Sequence, residues 1–403
     1  MKILQLTKKF PYPLKDGEAI AVTYLAKALH ELGCELTLLS MNTTKHPFDI
    51  QTLPPDFNHY KSIHLVDIDN RVKIMDALMN LFSNKSYHIE RFISPDFETK
   101  LIELLESENY DIIHLETLYL APYIETIRKY SNAKIAMRSH NVEYEIWKRI
   151  ADNTTLGAKK WYLNLLTRRL AHFEVRNLNE YDIMVAITER DLDFFKDLGL
   201  KIPSYVAPIG LDLKDYPYVP IHVSNNPSLC FIGSLDWMPN IEGLRWLLDE
   251  VWPRVLDSMP EAMFHIAGRN TPEWLHELNL KGIIVHGEVP DAVDFICEHE
   301  VMLVPLLSGS GMRVKILEGM AMGRLVISTK IGLEGIMATN GEEVLLANDE
   351  DAFAEQIIYA LQHPTMVSSM GNAARSFIHQ CFDNIQIAKG VLNCYENLTV
   401  QSE

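Results

Sequence analysis

From Lys2 to Thr329 the chain repeats one pattern: a short apolar run, a polar or glycine-bearing loop, then a helix with apolar residues at i, i+3 and i+4 spacing. Short strands buried on both faces must lie parallel to one another, with the helices crossing over between them, so this alternation leaves few folds open. "KILQLT" is the first strand; a helix with Leu25, Ala28, Leu29 and Leu32 on one face follows, Gly33 ends it, and "CELTLLSM" completes a βαβ unit. "YDIIHLET", after the helix "PDFETKLIELLESEN", is another strand, as are "AKIAMRSHN" and "YDIMVAIT". The segment Ala207–Ser228 breaks the pattern with Pro208, Pro217, Pro220 and Pro227, and reads as a linker.

After the linker the pattern restarts. "LCFIGSL" runs into Gly233, and "NIEGLRWLLDEVWPRVL" reads as one helix with Ile241, Leu244, Leu248, Val251 and Val255 inward. "AMFHIAG", "GIIVHGEV", "VMLVPLL" and "RLVIST" are further strands. A chain of 403 residues is long for one core. The reading is therefore an α/β protein of two doubly wound, Rossmann-like domains: residues 1–206, a linker at 207–227, residues 228–380, and a final helix at 381–403 that returns to the first domain. Open sheets of this kind bind ligands beyond the carboxyl ends of their strands, so a cleft between the two domains is expected.

Composition narrows the partners. With 54 acidic and 37 basic residues the formal charge is −17, which argues against nucleic acid. Cys34, Cys230, Cys297, Cys381 and Cys394 are scattered without a C-x-x-C pair, the usage of a reduced cytoplasmic protein with neither disulfides nor a zinc site. The start "MKILQLTKKFPYP" lacks signal-peptide features, and no run approaches the roughly 18 apolar residues of a membrane span. No metal site is expected: His114 and His140 end neighbouring strands, but no third ligand stands at ligand spacing.

The segment Gly309–Gly323, "GSGMRVKILEGMAMG", lies between two strands. Gly309 and Gly311 let backbone N–H groups and a helix N-terminus face an anion. Arg313 can fork onto phosphate oxygens and Lys315 adds a point charge. Glu318, one turn deeper, can accept two hydroxyl hydrogen bonds from a ribose. A phosphate cradle with a hydroxyl acceptor suits a nucleotide; the alternative is an exposed helical turn with a Lys315–Glu318 pair.

"GMRVKILEGMAMGRLVIST" resembles the C-terminal signature of the retaining glycosyltransferases of family 4 (glycosyl transferases group 1), which have the GT-B fold. "FPYPLKDGEAIAVTYLAKALHELGCELTLLS", "RSHNVEYEIW", "APIGLDLKDY", "CFIGSLDWMPNIEGLRWLLDEVWP", "VHGEVPD" and "IGLEGI" resemble, in order, the family's other segments, so the likeness spans nearly the whole chain. It implies a hexosyltransferase that moves a sugar, with retention, from a nucleotide-diphosphate sugar to a glycan or lipid-linked acceptor in polysaccharide or glycoconjugate synthesis. The donor is a substrate, so no cofactor is implied. Glu318 matches the second glutamate of the family's E-x7-E pattern, which holds the ribose; Arg313 and Lys315 match basic residues that neutralise the leaving diphosphate. Gly309, Ser310, Gly311 and Met312 match the loop whose amides hold the donor sugar. Val289 and Pro290 fall where the backbone meets the base, Gly17 in a loop near the diphosphate, Gly233 among the donor-binding positions, and His140 where a histidine faces the reacting sugar with its side chain or backbone. Arg313, Lys315 and His140 are thus the catalytic candidates.

Two departures stand out. Ser310 replaces the first glutamate of E-x7-E, and Glu18 follows Gly17 where many relatives have a second glycine. A carboxylate beside a diphosphate would repel it, so the Glu18 side chain is expected to face away or toward an acceptor. His140 has the alternative of a strand-end histidine bonded to backbone, and Glu116 and Glu143 read as solvated loop carboxylates. The basic stretch 158–178, with Lys159, Lys160, Arg168, Arg169 and Arg176 among Trp161, Leu165 and Phe173, reads either as a helix packed on its own domain or as a peripheral contact with an anionic membrane. The rival functions are a non-catalytic nucleotide- or glycan-binding subunit and a GT-B sugar-nucleotide epimerase.

Overall fold

The computed structural model describes residues 1–14, 16–73, 75, 79–155, 157–220, 227–309 and 311–400. They form two compact units, Met1–Gly210 with Asn384–Glu403, and Leu211–Asp383.

The first unit is built on a parallel sheet of β1 (Lys2–Thr7), β2 (Glu35–Thr43), β3 (Ser62–Ile68), β4 (Ile112–Glu116), β5 (Lys134–Ser139), β6 (Ile183–Ala186) and β7 (Ser204–Val206), in the order β3-β2-β1-β4-β5-β6-β7. The central strands are buried on both faces, as their apolar runs require: all five residues of β4 and all four of β6 are buried. Register sets the first site. Thr7 of β1 is opposite Glu116 of β4, and Glu116 is opposite Arg138 of β5, so the strands end side by side at one edge. The helix Gly17–Glu31 starts at that edge, where Asp16 accepts a hydrogen bond from the Ala19 N–H.

The helix Asn384–Val400 belongs to this unit, as expected, and packs on Gly17–Glu31. Ala388, Val391 and Tyr395 are fully buried in one core with Leu25, Ala28 and Leu29. Burial of a large apolar side chain is worth about 1.5–3 kcal/mol. The Asn384 amide donates to the Tyr24 carbonyl and fixes where this helix begins.

The second unit repeats the scheme with β8 (Leu229–Ile232), β9 (Phe264–Ala267), β10 (Ile283–Gly287), β11 (Val301–Val304), β12 (Leu325–Ser328) and β13 (Val344–Leu346). Their parallel order is β10-β9-β8-β11-β12-β13. The helix read over residues 240–256 is corrected in one respect. It runs Met238–Trp246, then a π-helical turn Leu247–Val251, then Trp252–Ser258. Pro253 has no N–H to give to the regular ladder, and the wider turn stands just before it. Leu244, Leu248, Val251 and Val255 are buried as the periodicity predicts, while Ile241 is only partly buried.

Candidate functional site

The sequence-predicted residues gather at the carboxyl edge of each sheet, one set in each unit.

In the second unit, β11 ends at Val304 and the chain turns through residues 305–313 into the helix Val314–Ala321. Gly309 and Gly311 have φ of 114° and 84°, conformations that side chains other than glycine rarely adopt. Any Cβ at Gly309 would also fall 2.7 Å from the Arg313 guanidinium. The guanidinium carbon stands 5.4 Å from the centre of the Trp237 ring, and Nη1 donates to the Gly311 carbonyl at 2.8 Å. Met312 completes the loop, whereas Ser310 lies outside the described residues. Arg313 is the N-cap residue of this helix and makes no side-chain cap bond, while the Ile316 N–H bonds to the Arg313 carbonyl at 2.9 Å.

Lys315 Nζ donates to the Ile232 carbonyl at 3.1 Å, tying the helix to the end of β8 beside Gly233. Burial pulls its ammonium down to about 8, with Glu318 opposing and Arg269 assisting. Glu318, one turn on, accepts from the Tyr216 hydroxyl at 3.0 Å; burial raises its carboxyl above the usual range, against that bond and Lys315. Val289 and Pro290 follow β10, and Asp291 then caps the short helix Ala292–Cys297. The Gly268 N–H bonds the Gly287 carbonyl and the Gly233 N–H bonds the Ala267 carbonyl, so β10, β9 and β8 end in step. Among the described residues, the donor-site candidates of the second unit therefore lie at one edge of its sheet, with two cations and a carboxylate near the start of one helix.

The state of Lys315 gives a testable pH dependence. Its ammonium is present below about pH 8 and lost above it, so an activity that needs this cation falls as pH rises through that value. A descending limb of kcat/KM is expected near pH 8, and is absent in Lys315→Arg, whose guanidinium stays charged. A limb unchanged in Lys315→Arg contradicts this assignment.

In the first unit, Gly17 is the first residue of its helix, with open space where a Cβ would stand. Glu18 does not face away as an isolated charge. Its carboxylate is 3.1 Å from Lys8 Nζ and 3.8 Å from Lys9 Nζ in the loop after β1. Burial opposes ionisation, but the two lysines hold Glu18 below the usual carboxylate range. The repulsion expected from sequence is thus already neutralised within the loop.

His140 follows β5, and its Nε2 is 2.7 Å from Glu116 Oε2. The alternative of a purely backbone-bonded histidine does not hold. Glu116 is a correction: it is fully buried, not solvated. Its Oε1 accepts from Gln5 Nε2 at 2.6 Å and lies 3.6 Å from Arg138 Nη1. Its neighbours are on three strands, which no local spacing reveals. Glu143 is the second correction: it is buried and accepts from the Tyr119 hydroxyl at 3.0 Å, and its backbone N–H donates to the Glu174 carboxylate.

Among the described residues no group of three His, Cys, Asp or Glu is placed to hold a metal ion, and no helix is long and apolar enough to cross a membrane. The helix Gly157–Asn177 buries Leu166, Thr167, Leu170 and Glu174. Arg169 is committed to the Asn80 and Leu81 carbonyls, while Lys159, Arg168 and Arg176 are exposed along the helix, as is Trp161 at 62%.

Comparison with known proteins gives the family and the fold. Residues 16–215 match the family model "Glycosyltransferase Family 4", and residues 226–363 match "Glycosyl transferases group 1". A Klebsiella pneumoniae protein described as an uncharacterized 44.6 kDa protein in the cps region is 25% identical, over 97% of this chain and 98% of its own length. Among solved structures, sucrose-phosphate synthase from Thermosynechococcus elongatus superposes with a TM-score of 0.72 at 16% identity, covering all of both chains. Anabaena HepE in complex with UDP superposes with a TM-score of 0.65 at 15% identity, covering 98% of this chain and 100% of HepE. HepE has also been solved with UDP-glucose.

Proposed function

Because the chain belongs to the glycosyltransferases of group 1 and family 4, with the GT-B fold, we propose that it transfers a hexosyl group with retention from a nucleotide-diphosphate sugar to a glycan or lipid-linked acceptor. The observation that carries this reading is the first turn of Val314–Ala321. Arg313 and Lys315 stand there at a sheet's carboxyl edge, with Glu318 one turn further along. The UDP and UDP-glucose complexes of HepE support a sugar nucleotide as the donor. The cps-region relative supports a role in capsular or related cell-surface polysaccharide synthesis.

In this reading residues 228–380 bind the donor, residues 1–206 bind the acceptor, 207–227 connect them and 381–403 return to the first. Glu318 takes the ribose hydroxyls, the Val289–Pro290 backbone meets the base, and the loop 309–312 holds the sugar. The acceptor hydroxyl oxygen bonds to the anomeric carbon as the bond from that carbon to the phosphate oxygen breaks. The bonding pair goes to the diphosphate, and the acceptor proton passes to the departing phosphate on the same face of the sugar. Arg313, Lys315 and the helix amides gain most as that charge develops, which is the role of a preorganised electrostatic catalyst. His140 faces the reacting sugar. Exposed Trp161, on the same helix as exposed Lys159, Arg168 and Arg176, supports a peripheral contact with an anionic membrane surface, consistent with a lipid-linked acceptor.

The test is a panel of sugar nucleotides offered to the pure protein, with melting shifts and released nucleoside diphosphate as readouts, with and without chelator and anionic vesicles. One donor should stabilise the protein and be turned over, undiminished by chelator, and the protein should co-sediment with the vesicles. Stabilisation without release identifies a binding subunit instead. Turnover abolished by chelator and restored by magnesium or manganese contradicts the cationic mechanism, and protein left in the supernatant contradicts the membrane contact.

A further inference from the structure

The His140 imidazole does not stand alone at the end of β5. Its side chain is 6% exposed, and Nε2 is 2.7 Å from Glu116 Oε2. Glu116 is itself fixed from several directions. Gln5 Nε2 donates to Oε1, and the Gln5 amide is oriented in turn by the Tyr60 hydroxyl, which donates to its Oε1 at 2.7 Å. Arg138, fully buried, has Nη1 3.6 Å from Glu116 Oε1 and donating to the Ala21 carbonyl at 2.8 Å. His114 Nε2 is 3.4 Å away, and His114 Nδ1 meets the Tyr395 hydroxyl of the last helix at 3.3 Å. Both carboxylate oxygens are therefore engaged, and a fixed cation faces them.

Two of these facts decide the state of the histidine. Burial works against the Glu116 anion, but His114, Arg138 and the His140 bond hold its carboxyl well below the usual range. An ionised carboxylate only accepts hydrogen bonds, so His140 Nε2 must carry the proton that joins them. In its neutral form the ring then keeps a lone pair on Nδ1, which makes that nitrogen an acceptor. An acceptor suits a sugar hydroxyl and is unsuited to a phosphate oxygen, which has no proton to give.

We propose that Glu116 is a positioning residue that holds His140 as the Nε2–H tautomer, so that Nδ1 is presented as a hydrogen-bond acceptor to a hydroxyl of the reacting sugar. The proposal rests on the reading that His140 faces that sugar. Gln5, Tyr60 and Arg138 are the framework that keeps Glu116 in place, and none of them needs to touch substrate. Losing the carboxylate frees the ring to rotate and to adopt the other tautomer, at a site where a misplaced hydrogen bond is costly because little water is present to replace it.

The test has two arms. In protein labelled with 15N-histidine, the His140 resonances, assigned by their loss in His140→Ala, should report a protonated Nε2 and a bare Nδ1 without any substrate. A protonated Nδ1 overturns the proposal. This arm uses the unaltered chain, so it stands even if Glu116→Gln, which leaves Arg138 buried beside a neutral amide, fails to fold. The kinetic arm is a double-mutant cycle. Glu116→Gln should lower kcat by about ten- to a hundredfold, the value of one strong charged hydrogen bond, with the donor KM within about threefold. In the His140→Ala background the same substitution should cost less than about twofold, because Glu116 acts through the ring. A full-size loss in that background shows a role independent of His140 and overturns the proposal. Failure of the transferase reading is distinguishable: no sugar nucleotide is turned over by the unaltered chain, whatever the tautomer.

Discussion

Arg313→Ala lowers kcat by about 10²–10³ while the donor KM moves by less than about tenfold. The size is that of one preorganised donor removed from a developing oxyanion. The charge on the diphosphate rises as the glycosidic bond breaks, so a cation held in place gains more from the leaving group than from the intact donor. The structure supplies that fixity. Trp237 backs the guanidinium, Nη1 is tied to the Gly311 carbonyl, and the absence of a side chain at Gly309 leaves room for it. Burial lowers the guanidinium pKa, with Glu334 opposing, but an arginine so placed remains charged. Arg313→Lys should recover only part of the rate, because an ammonium cannot reproduce a planar two-pronged contact. Melting temperatures of both variants separate loss of catalysis from loss of the loop. If kcat stays within a factor of two while KM alone rises, Arg313 binds ground and transition states equally and is not catalytic.

Glu318→Ala weakens nucleoside diphosphate binding by about one to two decades. A carboxylate accepting from two ribose hydroxyls makes charged hydrogen bonds worth about 1.5–3 kcal/mol each at most, and part of that is returned by water in the variant. Glu318 is well prepared for this role. It lies one turn beyond Arg313 on a helix whose Ile316, Leu317 and Met320 are fully buried, and the Tyr216 hydroxyl occupies one side of its carboxylate. Glu318→Gln should fall between the two, since an amide oxygen accepts but carries no charge. Calorimetric titration with a panel of nucleoside diphosphates checks the order. Unchanged affinity in a folded Glu318→Ala protein places this residue outside the site.

The architecture was readable because buried parallel strands are written as apolar runs, as in "VMLVPLL" and "YDIMVAIT", and because Gly33 and the proline-rich segment punctuate them. The strands that escaped notice are edge strands. β3 reads "SIHLVDI", with half-exposed positions, while β7 and β13 are three residues long and too short to show a period. The donor-site candidates of the second unit are close in sequence for a related reason: Arg313, Lys315 and Glu318 lie within six residues at the start of one helix, so their spacing alone brings them near one another. Glu116 and its partners are not. Gln5, Arg138 and His140 reach it only through the register of β1, β4 and β5, a long-range fact that local sequence does not carry. The same holds for Glu18, whose lysine partners sit across a turn of the chain.

Retention at the anomeric carbon, driven by a nucleoside diphosphate leaving group, is the central claim. Its most direct test needs no knowledge of the acceptor. With the donor found in the panel, slow hydrolysis is followed by time-resolved proton NMR, reading the anomer of free sugar formed before mutarotation. Water replacing the acceptor on the face of the departing phosphate gives first the anomer that the donor carried, together with one equivalent of nucleoside diphosphate. First appearance of the opposite anomer, or sugar released without the diphosphate, contradicts the account.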